Sequence, residues 1–275
     1  MSTQQGIAFI GGGNMARSLI GGLVARGVPA ADLRVAEPVE ALRQALADEF
    51  GVRVFENAEA AVAGTGLWLL AVKPQVMRGV CESLTAVAAR TRPLVVSIAA
   101  GISTGQLQRW LGAEAAIIRS MPNTPALLGA GVTALYATAQ VHAQGRSDAQ
   151  ALLASAGKTV WIEDEALMDA VTAVSGSGPA YVFLLAEAME AAAIGQGLPP
   201  AAARTLVLET VLGAARMLTE ASEDPAELRR RVTSPNGTTQ AAVEAFQAGG
   251  FEQLVGAAIT AATERGRQLS AANQG

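Results

Sequence analysis

The sequence predicts an α/β domain built on a parallel sheet, followed by an all-helical domain, and three observations carry that expectation. Short apolar runs alternate with helical stretches through the first part of the chain, the pattern of strands joined by crossover helices. Beyond about residue 165 no strand pattern remains, only helices punctuated by Gly and Pro. The composition, 51% hydrophobic and 16% charged over 275 residues, is that of a compact globular protein long enough for two domains.

The strand candidates are Ile7–Ile10, Leu33–Ala36, Leu67–Val72, Leu94–Ile98, Ala116–Arg119, Val132–Tyr136 and Thr159–Ile162. Helices are expected between the early ones, at Asn14–Arg26, Val39–Phe50 and Gln75–Ala89. Near-continuous apolar strands alternating with helices indicate a parallel sheet covered on both faces. Ser103-Thr-Gly-Gln106 reads as a capping box opening a further helix.

The second half reads as helices at Glu165–Val174, Pro179–Gly195, Pro199–Ala221, Pro225–Arg231, Thr238–Ala248 and Phe251–Ser270. Gly197 ends one of these and Pro199 starts the next, while Asp224-Pro225-Ala-Glu227 supplies a cap with proline in the first turn. Tyr181, Phe183, Leu184, Leu185 and Met189 leave the helix after Pro179 apolar around most of its circumference. Such a helix is buried, and so short a helical domain calls for a partner subunit to bury it. The division is placed between residues 1–164 and 165–275.

Charge and cysteine content exclude several classes. A net charge of −4 offers no basic surface for nucleic acid. Cys81 is the only cysteine, so neither an intrachain disulfide nor a cysteine metal site is available, and a buried structural thiol is expected. His142, the only histidine, lies in a polar connection and is expected at the surface, and no acids stand at metal-ligand spacing beside it. No targeting segment is visible before Ile7, and the longest apolar stretch, Ala170–Ala186, is interrupted by Ser175-Gly-Ser-Gly-Pro179. A cytoplasmic protein without a membrane span or a metal is the expectation.

"IAFIGGGNMARSLIGGL" sets Gly11, Gly13 and Ala16 in a G-x-G-x-x-A arrangement that follows a strand and opens a helix. That is the context of a Rossmann-like dinucleotide-binding domain. Glu37 ends the second strand, where a carboxylate hydrogen-bonds an adenosine ribose and repels a 2′-phosphate; alone it argues for NADH over NADPH. The competing reading is a solvated loop acid. Lys73-Pro74, Ala99-Ala100-Gly101 and Arg119–Pro125 follow later strands, at the edge where open α/β sheets bind ligands.

The helical half contains no lysine, histidine or cysteine. Alcohol oxidation needs a positioned base, whereas a protonated imine accepts hydride directly, leaving the protein to position and stabilise. A second polar turn, Ser234-Pro-Asn-Gly-Thr-Thr239, opens a helix and has the form of an anion cradle. An ordinary capped helix start accounts for the same residues equally well.

"FIGGGNMA", "AVKPQ", "SIAAGIS", "RSMPNTP", "AVSGSGPAY" and "VTSPNGTTQAAVEAF" resemble, in order and spacing, pyrroline-5-carboxylate reductase, across essentially the whole chain. The resemblance implies reduction of the cyclic imine 1-pyrroline-5-carboxylate to L-proline by NADPH or NADH, the last step of proline biosynthesis. It implies a Rossmann-like domain followed by a helical dimerisation domain whose subunits interlock as a homodimer, some members forming a decamer. The dinucleotide would meet Gly11, Gly12, Gly13, Asn14 and Met15, then Glu37 and Asn57. It would continue along Ala71, Val72, Lys73 and Pro74, and along Ile98, Ala99 and Ala100. The substrate carboxylate would lie on Ser234, Gly237, Thr238 and Thr239, with the Thr239 hydroxyl at the ring nitrogen as the catalytic contact. Glu165 matches an acidic position near the ligand, and Ser175, Gly176, Ser177, Gly178 and Pro179 would line the pocket at the dimer interface. Glu37 departs from the small polar or basic residues common in relatives that favour NADPH; Arg231, at a position that approaches the cofactor across the dimer, would offset it.

Two other readings compete. A 3-hydroxyacid dehydrogenase joins similar domains but wants a basic catalytic residue that the helical half lacks. A nucleotide-binding protein without chemistry is separated from an enzyme by turnover.

Overall fold

The computed structural model describes residues 6–272. The chain forms two compact units, one running to Ser177 and resuming at Ala262, the other Gly178–Ala261. The change from strands to helices near residue 165 thus falls inside the first unit.

In the first unit, eight strands make one sheet: β1 (Gly6–Ile10), β2 (Leu33–Ala36), β3 (Arg53–Phe55), β4 (Thr65–Leu70), β5 (Leu94–Ser97), β6 (Ala116–Met121), β7 (Gly131–Ala137) and β8 (Gly157–Trp161). Their order is β3-β2-β1-β4-β5-β6-β7-β8. Six helices accompany them: α1 (Asn14–Ala25), α2 (Glu40–Phe50), α3 (Ala58–Val62), α4 (Pro74–Thr91), α5 (Thr104–Leu111) and α6 (Ala143–Leu153). Successive residues of β4 serve opposite faces. Leu67 and Leu69 join a core with Phe9, Leu19, Leu46 and Leu152, whereas Trp68 and Leu70 join one with Met77, Cys81, Leu84 and Leu107. Burial on both faces explains why these strands read as unbroken apolar runs.

The expected parallel sheet carries one antiparallel pair. β6 and β7 pair antiparallel, while every other neighbouring pair is parallel. Residues 122–130, which join them, hold only the 3-10 turn Thr124–Leu128, and a parallel return needs a crossover of about a dozen residues or more. The reversal has a positional result. Leu135 of β7 pairs with Ser120 of β6 and with Trp161 of β8, so the chain leaves β8 level with the carboxyl end of β6. It continues through a 3-10 turn (Glu165–Leu167), α7 (Met168–Val171) and a π-helical turn (Thr172–Gly176).

The expected helix Glu165–Val174 is therefore three short pieces of different pitch. The Ser103 capping box is present in full, with Gln106 N on Ser103 Oγ and Ser103 N on Gln106 Oε1. His142 is exposed at the start of α6, and Cys81 is fully buried.

The second unit holds α8 (Gly178–Gly195), α9 (Pro200–Glu220), α10 (Pro225–Arg231), α11 (Thr238–Ala248) and the first half of α12 (Phe251–Ala272). Asp224 caps α10 through Glu227 N, as its sequence suggests. α8 is apolar all round yet has no buried residue in the single chain, with Phe183 67% and Leu184 66% exposed. Leu254 on α12 is 68% exposed. No helix of the described residues is long and apolar enough to cross a membrane.

Candidate active site

The carboxyl ends of β1, β2, β4 and β5 converge on the edge where open α/β sheets take their ligands. Gly11, directly after β1, has φ +103°, and a Cβ there would lie 2.7 Å from the Ala71 carbonyl oxygen. Only glycine fits that turn. Gly12 is buried, and a Cβ on it would meet Leu46 Cδ1 at 2.5 Å. Gly13 is exposed, and its Cβ would meet nothing within 4 Å. The third glycine therefore answers to no crowding among the described residues; it leaves open the space before α1.

Asn14 and Met15 begin α1, which has no side-chain cap. Their N–H groups lack intrahelical acceptors and meet the positive end of the helix dipole, so the cradle suits a pyrophosphate. The residues present fit a dinucleotide on this edge.

Glu37 is 8% exposed, which rules out the solvated loop acid. Its Oε2 accepts from Gly12 N at 3.0 Å and its Oε1 from Val39 N at 3.0 Å. Arg43 donates Nη1 to the carbonyl oxygens of Glu37 and Pro38, at 2.7 and 3.1 Å. Each carboxylate oxygen retains acceptor capacity for a ribose hydroxyl. Asn57 stands after β3, its Oδ1 accepting from Ala60 N to cap α3. Ala71 and Val72 are half-buried, Lys73 is exposed, and Pro74 starts α4. Beyond β5, Ala99 N lies 3.3 Å from Ser97 Oγ, and Ser97 O accepts from Ser120 Oγ at 2.9 Å, so the approach to Ile98–Ala100 is tied to β6.

Four positions expected in the helical half, Glu165, Ser175, Gly176 and Ser177, sit in this first unit. Ser175 O accepts from Asn123 Nδ2 at 3.1 Å, and Asn123 Oδ1 in turn accepts from Val132 N. A Cβ on Gly176 would lie 2.6 Å from Met121 Cε. Ser175 and Gly176 are thereby fixed against the loop that leaves β6, with Ser177 donating its N–H to Thr172 O. Glu165 is engaged with its own chain: Oε1 accepts from Thr104 N at 2.8 Å and from Arg119 Nη1 at 3.1 Å, and Oε2 from Thr104 Oγ1 at 2.5 Å.

Gly178 and Pro179 open α8 in the second unit. Ser234–Thr239 lies in the same unit. Asn236 has φ +58° and donates its N–H to Gln240 Oε1, while Gly237 N returns to Ser234 O. A Cβ on Gly237 would lie 2.6 Å from Ser234 Oγ. Gly237 is the N-cap of α11, and among the described residues no side chain caps that helix. Among the described residues the serine, asparagine and threonines do not provide an ordinary capped start, so the N–H groups of Thr238 and Thr239 have no intrahelical acceptor. Arg231 pairs with Glu223 and Glu227, whose carboxyls are held below the usual range. A Glu223 backbone hydrogen bond acts first on the former, and the Arg230 hydrogen bond on the latter.

Asp169 and Arg43 had no role in the sequence reading, which named Arg119 and Asn123 only within the Arg119–Pro125 segment after a strand and Thr104 only within the Ser103–Gln106 capping box. Arg119 had a readable signal, a lone charge beside Ile117 and Ile118 in an apolar strand. A hollow of about 640 Å³ lies at the other edge of the sheet, among Arg26, Arg92 and His142, and shares no residue with the cradle. No group of three or more metal-ligating side chains occurs among the described residues.

Residues 165–269 match the family described as pyrroline-5-carboxylate reductase dimerisation, and residues 6–101 match NADP oxidoreductase coenzyme F420-dependent. The chain is 53% identical over 270 residues to the pyrroline-5-carboxylate reductase of Pseudomonas aeruginosa, covering 98% of each. A pyrroline-5-carboxylate reductase structure from Coxiella burnetii superposes with TM-score 0.94 at 37% identity, over 97% of this chain and 98% of that one. The Plasmodium falciparum pyrroline carboxylate reductase, a structure with NADP bound, superposes with TM-score 0.84 at 26% identity, over 97% and 98%.

Proposed function

The chain belongs to the pyrroline-5-carboxylate reductase family, and on that premise we propose how its own residues carry out the reduction of the pyrroline C=N bond to L-proline. NAD(P)H supplies the hydride. The N–H groups of Asn14 and Met15 hold the pyrophosphate, and the open space at Gly13 admits it. Glu37 accepts from the adenosine ribose and repels a 2′-phosphate, favouring NADH. Ile98, Ala99 and Ala100 give a small-residue wall on which a flat ring can lie.

The substrate carboxylate rests on the N–H groups of Thr238 and Thr239 within the Ser234–Gly237 turn. The observation that carries this reading is the start of α11, built of Ser, Asn, Gly and Thr yet capped by none of their side chains. A helix start in that state is a ready anion site. Thr239 Oγ1 orients the ring nitrogen, and positioning with electrostatics, not a strong base, lowers the barrier.

The apolar faces of α8 and α12 support pairing of two copies through the helical unit, where Ser177, Gly178 and Pro179 would line the pocket. A single buried free thiol suits a cytoplasmic enzyme. The test is the initial rate with pyrroline-5-carboxylate against NADH and NADPH in parallel. Imine-dependent oxidation with a higher specificity constant for NADH supports both the reaction and the role of Glu37. A folded dimer that consumes neither coenzyme removes the proposal, and sedimentation of the same sample separates a dimer from a decamer.

A further inference from the structure

Arg119 and Glu37 are the two charged side chains buried among the described residues. A buried guanidinium persists only when its partners are well placed. Arg119 has two: Nη1 lies 3.1 Å from Glu165 Oε1, and Nη2 lies 3.6 Å from Asp169 Oδ1. Asp169 Oδ1 also accepts from Ser270 Oγ at 3.3 Å. Glu165 in turn grips Thr104 twice, at its N–H and at its hydroxyl.

That double grip takes up the Thr104 N–H, which the capping box of α5 leaves free, and ties its hydroxyl as well. It also links the end of the loop after β5 to a buried arginine on β6. The beginning of the same loop is tied to β6 by Ser120 on Ser97 O. The segment Ile98–Gly101 is therefore held at both ends by neighbouring residues of one strand, directly by Ser120 and through Glu165 by Arg119.

We propose that Thr104, Glu165 and Arg119 are positioning residues that set the Ile98–Ala100 wall against the nicotinamide, so that Glu165 acts on the coenzyme side through Thr104 and does not touch the imino acid. The inference rests on the proposed contact between that wall and the coenzyme. It replaces the ligand contact that the family resemblance implies for Glu165. Asp169 anchors the far side of Arg119 and lies in the short helix that leads to Ser175, whose carbonyl is held by Asn123.

The experiment compares Thr104→Val, Thr104→Ser, Glu165→Gln and the Thr104→Val/Glu165→Gln double variant. NADH affinity is read by fluorescence titration without imino acid, together with KM for each substrate, kcat and melting temperature. Thr104→Val should weaken NADH binding by about tenfold, the loss of one charge-assisted hydrogen bond, and leave the imino-acid KM within about twofold. Thr104→Ser should restore binding, and the double variant should be no worse than the more damaging single change, because both break one linkage.

Two outcomes overturn the proposal. Glu165→Gln raising only the imino-acid KM, with Thr104→Val silent, would place Glu165 on the substrate. A lower melting temperature with unchanged NADH binding would make the cluster a brace and nothing more. Ala100→Leu tests the underlying contact separately: unchanged NADH affinity there removes the wall and the relay with it, while wild-type turnover leaves the reductase assignment standing.

Discussion

The buried carboxylate of Glu37 accepts the amide hydrogen of Gly12 across 3.0 Å, joining the end of the second strand to the glycine turn after the first. One acid therefore shapes the glycine turn and, on the proposed function, would also meet the ribose. Glu37→Ser should raise the NADPH-to-NADH ratio of kcat/KM by about tenfold or more, since it removes a charge facing a 2′-phosphate. It should also cost about 1–3 kcal/mol of stability, because Gly12 N–H loses its acceptor. Parallel kinetics and denaturant unfolding check the two effects independently.

Thr239 is half-buried at the start of α11, where its side chain makes little difference to the fold. Thr239→Ala should lower kcat by about 10²-fold through loss of an orienting hydroxyl. Its unfolding free energy should stay within about 0.5 kcal/mol of wild type. Unchanged turnover together with an unchanged Michaelis constant would remove Thr239 from the mechanism.

How far such features can be read from sequence depends on how local their causes are. The Ser103 capping box and the Asp224 cap each depend on residues within a few positions, and each is found where the pattern puts it. β3 was missed because it is three residues long and begins with an exposed arginine. α6 was missed because only Ala149, Leu152 and Leu153 of its polar sequence are buried. The antiparallel pairing of β6 with β7 was hidden for another reason, since an apolar run carries no direction. At the site, Glu37 was legible from its place after a strand. The grip of Glu165 on Thr104 joins residues 61 positions apart and has no local signature.

Cys81 is fully buried on α4, and burial, aided by the neighbouring Glu82 charge, pushes its thiol up to about 12 from an ordinary 9.0. The folded state thus keeps a proton that the unfolded chain gives up first. This contribution is complete below about pH 9 and is lost as pH rises from there towards about 12. Between about pH 8 and about pH 10.5, wild type should lose melting temperature faster than Cys81→Ala. The native thiol should also resist an aromatic disulfide reagent at neutral pH and react once the chain is unfolded.

Trp68 is fully buried on β4, and its Nε1 is the only buried side-chain nitrogen or oxygen without a hydrogen-bond partner among the described residues. Trp68→Phe removes that orphan donor, worth about 1–3 kcal/mol, while sacrificing some packing. The net change in unfolding free energy should stay within about 1.5 kcal/mol. Trp68→Ala should cost about 3–5 kcal/mol. A large loss in the phenylalanine variant would mean that the indole nitrogen has a partner.

The exposed apolar residues of α8 and α12 would, in the proposed pairing, tie the life of each chain to the abundance of its copies. If only a second copy can cover them, dilution acts on the fold much as heat does, and the melting temperature should climb with protein concentration. Output in a cell would then rise more steeply than the amount of chain at low expression, because solitary copies remain open to aggregation and proteolysis until they meet.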